Sequence, residues 1–84
     1  MKYSVRLQTT EMEKKSKFVT VELPNNEMPT PYNIISRRLT ECYIEKKEEL
    51  GLKTGFDIAR AVAYDAVEMM NNLIYYEVKE LKEE

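Results

Sequence analysis

The chain predicts a small α+β domain of ββαα order: an N-terminal antiparallel β-hairpin followed by two α-helices, working as a dimer. Three observations predict it. Residues 2–10 and 17–23 alternate apolar and polar side chains, the period of a half-buried strand. The stretches 31–50 and 54–80 instead repeat their apolar residues at spacings of three and four, the period of a helix. Three prolines among residues 24–31 separate the two patterns. A length of 84 residues leaves room for one domain.

In the first strand Tyr3, Val5 and Leu7 point one way and Ser4, Arg6 and Gln8 the other. The charged run Glu-Met-Glu-Lys-Lys-Ser at 11–16 has no apolar period and reads as a loop. Val19, Val21 and Leu23 then alternate with Thr20 and Glu22, completing a hairpin over 2–23. A lone hairpin is barely stable in water, so helices must cover its apolar face. After the Pro-rich connector 24–30, Thr30 and Pro31 supply an N-cap and a first helical residue. The first helix, 31–50, gathers Tyr32, Ile35, Leu39, Cys42, Tyr43 and Leu50 on one face, and Gly51 ends it. Thr54 and Asp57 resemble a capping box opening the second helix, 54–80. Residues 81–84 read as its frayed acidic end.

That second helix is apolar over a wide arc. Phe56, Ala59, Ala63, Val67, Met70, Ile74, Val78 and Leu81 share a side. Val62, Ala66, Met69 and Leu73 widen it to roughly 180–200°, against the ~100° stripe of an ordinary surface helix. One hairpin and one helix cannot cover so much. The expectation is a homodimer formed through Val62, Ala66, Met69 and Leu73.

Composition excludes several kinds of chemistry. Thirteen basic against fifteen acidic side chains give a net charge of −2, unlike a generic polyanion binder. Residues 1–53 carry ten basic and eight acidic groups, while 54–84 carry three and seven, so the helix-rich end is acidic. The absence of His removes the commonest general base and metal ligand, and a single Cys42 makes neither a disulfide nor a zinc site. The two glycines both sit at helix ends, leaving no phosphate-cradling loop. No catalytic residue, metal or cofactor is therefore expected. No apolar run approaches 18 residues and no secretory signal is visible, which with one Cys points to a cytoplasmic protein.

Two groups of residues remain as candidate sites. Asp57, Tyr64, Glu68, Asn71 and Tyr75 form an outward stripe on the second helix, and large aromatics on a polar face favour protein binding. Lys14, Lys15 and Lys17 of the hairpin loop, with Arg37 and Arg38, offer a basic patch for phosphate. A third arrangement, a small-ligand pocket at the dimer interface, would use Tyr32, Tyr43 and Tyr76.

The strand Phe-Val-Thr-Val-Glu-Leu-Pro followed by two helices resembles the ribbon-helix-helix repressors and antitoxins, as does Lys-Thr-Gly-Phe-Asp-Ile-Ala-Arg-Ala. The resemblance implies a dimeric DNA-binding regulator acting through the basic group. The chain departs from it in the additional first strand, in Pro29 and Pro31, and in the outward Glu22. The residues themselves favour a different expectation: a non-catalytic protein-binding module, an inhibitor or adaptor such as phage and mobile elements encode, meeting an unidentified protein partner through the tyrosine and acidic stripe.

Overall fold

The computed structural model describes residues 1–82. Strands β1 (Lys2–Thr9) and β2 (Val19–Glu22) precede helices α1 (Pro31–Glu45) and α2 (Gly55–Asn71), and strand β3 (Leu73–Leu81) follows. The sheet order is β2-β1-β3, antiparallel throughout. The α+β class holds, and the hairpin is part of a three-stranded sheet with β1 at its centre. Opposite partners share a face of a sheet. Tyr3 faces Val21, and Val5 has Val19 on one side and Val78 on the other, so these side chains build one apolar surface.

The second helix differs most from its sequence reading. It was expected to run to residue 80 and ends at Asn71, where the Asn72 N–H donates to the carbonyls of Glu68 and Met69 at 3.2 Å each. Two consecutive asparagines are poor helix formers, and Ile74, Tyr75, Tyr76 and Val78 are β-branched or aromatic residues suited to a pleated surface. The open side of β1 supplies the hydrogen-bonding partner. β3 pairs with it from Lys2 opposite Leu81 to Gln8 opposite Tyr75, and a bulge then brings Thr9 opposite Leu73. Of the expected acidic end, Leu81 closes β3, while Glu83 and Glu84 lie outside the described residues.

The core lies between the sheet and α1. Tyr3, Val5, Val21 and Leu23 are buried against Ile34, with Val19, Tyr76 and Val78 packed around them. The Tyr76 hydroxyl donates to the Pro29 carbonyl at 3.1 Å, tying β3 to the connector before α1. Ile35 of α1 and Val62 and Ala66 of α2 are also buried, and α2 packs beside α1. The molecule measures 37 × 33 × 18 Å, about the depth of one sheet and one layer of helices.

The helix starts follow the sequence. Thr30 Oγ1 accepts from the Asn33 N–H at 3.2 Å, and Thr54 and Asp57 form a complete capping box. α1 ends at Glu45, five residues early, and residues 46–51 continue as turns. Gly51 closes them with φ +71°, while the Leu52 N–H reaches back to the Lys47 carbonyl at 2.8 Å. This is a Schellman-type stop, which glycine adopts at least cost.

Candidate functional site

The wide apolar arc of α2 is divided lengthwise by the position of α1. Val62 and Ala66 are buried, and Met69 is half-buried in a cleft with Val5, Leu7 and Ile35. Leu73 lies on β3, half-buried opposite Thr9. The four residues expected to meet a second copy are thus engaged within the chain. The other half of the arc is uncovered: Phe56 is 73% exposed, Val67 50% and Met70 38%, with Ala59 and Ala63 exposed between them. Positions 56, 59, 63, 67 and 70 are three or four apart, so they form one continuous row along the helix.

The expected stripe divides differently. Tyr64, 68% exposed, stays beside Glu68 and Asn71 on α2, along the polar edge of the apolar row. Asp57 belongs to the helix start. Its carboxylate accepts the Lys53 and Thr54 N–H groups at 3.0 Å each, and these bonds hold its pKa below the usual carboxylate value. Tyr75 lies on β3 opposite Gln8. By alternation with the inward Tyr76, it sits on the sheet face turned away from the helices. There its hydroxyl donates to Glu77, which raises its pKa, and Lys15 Nζ stands 3.8 Å from the ring centroid. Tyr64 and Tyr75 are consequently on different surfaces.

Three of the five basic residues, Lys15, Arg37 and Arg38, are engaged at different places. Lys15 covers Tyr75 on the outer sheet face. Arg37 donates to the Glu22 carbonyl at 3.3 Å and approaches Glu41 at 3.9 Å. Arg38 lines the cleft between sheet and α1, with Ser16, Cys42 and Leu39. That cleft has a volume of about 240 Å³ and a floor of Val5, Leu7, Val19, Ile34 and Ile35. The three tyrosines considered for a ligand pocket are also dispersed. Tyr32 borders the groove between α1 and α2, the Tyr43 hydroxyl donates to Asp65, and Tyr76 reaches Pro29.

Tyr43 and Tyr76 give the fold a pH dependence. Bonding to Asp65 and, secondarily, burial push the Tyr43 pKa up to about 12 from 10.0; burial pushes Tyr76 to about 12. Each hydroxyl therefore stays protonated longer in the folded chain than in the unfolded one. Their contribution to stability is complete below pH 10, the ordinary tyrosine value, and is lost as pH rises towards 12. The urea midpoint is expected to fall over that interval, and less steeply in the Tyr43→Phe/Tyr76→Phe variant.

The groove between α1 and α2 holds a buried polar group. Ser36 Oγ is buried beside Thr40, Ala59, Val62 and Ala63, without a hydrogen-bond partner among the described residues. An unsatisfied buried hydroxyl costs about 1–3 kcal/mol. Ser36→Ala is expected to raise stability by about 1 kcal/mol, allowing for partial access of water to the groove. An unchanged or lowered melting temperature would show that the hydroxyl is satisfied in solution.

Among the described residues, no group of three His, Cys, Asp or Glu side chains is placed to hold a metal ion. No helix among them is long and apolar enough to cross a membrane. Compared with models of protein families, with curated proteins and with solved structures, this chain matches none of them.

Proposed function

We propose that this chain is a non-catalytic protein-binding module of inhibitor or adaptor type, acting in the cytoplasm through the exposed side of α2. The observation that carries the reading is the continuous row Phe56, Ala59, Ala63, Val67 and Met70, open to solvent on a helix whose other side is buried. Soluble monomers rarely leave an ordered apolar row uncovered. Tyr64, Glu68 and Asn71 flank it as a polar edge, and the amphipathic Tyr64 ring suits a partner contact.

The test uses variants that alter this surface and little else. Phe56→Ser/Val67→Ser and Tyr64→Ala are expected to retain the wild-type melting temperature, because these side chains are at least half exposed. Both are expected to lose the partner captured by the wild-type chain from extracts of its native host. Undiminished capture by both variants would overturn the reading.

A further inference from the structure

We infer that the cleft between the sheet and α1 binds an aliphatic carboxylate, with its hydrocarbon chain on the apolar floor and its carboxylate on Arg38. The site is separate from the exposed row of α2, since it borders Met69 on the inner half of that helix. It does not depend on the protein-binding reading.

The cleft follows from two local features. β2 begins only at Val19, opposite Val5, so the next inward residue of β1 lacks a strand neighbour on that side. There Leu7 is joined by Ser16, whose N–H donates to the Leu7 carbonyl at 2.7 Å. α1 buries Ile34 and Ile35 fully, but one and two turns beyond Ile35 its Leu39 and Cys42 are half-buried. The space left has a volume of about 240 Å³. An apolar cavity of about 150 Å³ stays dry and takes up benzene. A larger one of similar chemistry, open on one side, holds a longer hydrocarbon better than it holds water.

The polar groups of the lining decide which hydrocarbon. Ser16 Oγ is already used, accepting from the Leu7 N–H and donating to the Lys17 carbonyl at 3.0 Å each. The Cys42 thiol is only a weak donor. Arg38 lines the cleft and is also exposed, so its stem lies along the wall and its guanidinium stays in water at the mouth. Among the described residues that guanidinium has no ion pair and no hydrogen bond. One cation at the edge of an apolar space matches one anion at the end of an apolar chain. The planar fork of arginine fits a carboxylate at two points. A ligand with amides or hydroxyls along its length would leave them unpaired on this floor, which disfavours a peptide.

Cys42 is the only cysteine of the chain and lines the cleft, so its rate of alkylation by iodoacetamide reports occupancy. Octanoate below its micelle concentration is expected to slow that rate saturably. Octylammonium, equal in length and opposite in charge, is not. Arg38→Gln alters an exposed side chain and is expected to keep the wild-type circular dichroism spectrum. It should raise the octanoate concentration for half-protection about tenfold, and leave the weaker protection by octanol unchanged. Cys42→Phe, which fills the cleft, is expected to abolish the heat of octanoate binding in calorimetry. Phe56→Ser/Val67→Ser is expected to bind octanoate as the wild type does, so the cleft and the exposed face of α2 stand or fall separately. Absence of saturable protection by octanoate, or equal protection by octanoate and octylammonium, overturns the inference. So does a leucine-ended peptide that protects Cys42 at lower concentration than octanoate, which would assign the cleft to a protein C-terminus.

Discussion

A chain ending at Asn72 is expected to lose its cooperative unfolding transition. Such a truncation removes β3 and with it the ladder along β1, from Lys2 opposite Leu81 to Gln8 opposite Tyr75. It also uncovers the side of the core on which Tyr76 and Val78 pack, and breaks the Tyr76–Pro29 hydrogen bond. What remains is a hairpin whose second strand has four residues, too little sheet for independent stability. Burying one large apolar side chain contributes about 1.5–3 kcal/mol. The total stability expected for 84 residues is roughly 4–13 kcal/mol. Loss of two such side chains and a whole ladder therefore takes most of it. A frayed helical tail, in contrast, would be dispensable. A truncated chain with a wild-type thermal transition in far-ultraviolet circular dichroism would refute the structural role of β3.

Leu23→Ala is expected to destabilise the full chain by about 3 kcal/mol, within the usual range for a buried leucine. Leu23 is fully buried where the end of β2 meets Tyr3, Val21 and Ile34. Its backbone is fixed as well: its N–H donates to the Met1 carbonyl at 2.9 Å, and its carbonyl accepts from the Met1 amino group at 2.7 Å. The surroundings can collapse only partly into the space left by the side chain. Leu23→Met, which nearly conserves volume, should cost less than about 1.5 kcal/mol. Urea titration of both variants separates the outcomes. Equal midpoints would mean that the space beside Leu23 is not closely packed.

The two N-terminal strands were legible because their alternation coincides with clear ends. Tyr3, Val5, Val21 and Leu23 are buried as their spacing requires, and Pro24 follows directly. The helix starts were legible because Thr30–Pro31 and Thr54–Asp57 are local devices needing no tertiary information. β3 was missed because Ile74, Val78 and Leu81 continue the helical phase of Val67 and Met70. Over so short a segment the two periods can coincide. The signals against helix were Asn71-Asn72 and the density of aromatic and β-branched residues in Ile-Tyr-Tyr-Glu-Val. The marginal stability of a lone hairpin is relieved by a third strand as well as by a helix, so it did not decide between them.

The site was legible in width and not in direction. Sequence showed that α2 has more apolar surface than one neighbour can cover. The choice of Val62 and Ala66 over Phe56 and Val67 as the inner half depends on where α1 lies, which periodicity does not specify. Tyr64, Glu68 and Asn71 kept their common surface because they fall within the true helix. Tyr75 left it with β3, and Asp57 was already engaged by the backbone of its own helix start.

The central place of β1 also sets an order of events during synthesis. β1 is made first, yet its longer partner is the last strand described, so Thr9 waits for Leu73 and Lys2 for Leu81. Closing that separation makes the fold rich in non-local contacts, which slows folding relative to a helical domain of equal size. Translation adds about 5–20 residues per second. Throughout the elongation of both helices, the nascent chain therefore carries an unpaired strand edge. Completion of the sheet follows the synthesis of both helices, and the chain that still lacks β3 is the form most exposed to aggregation and to chaperone capture.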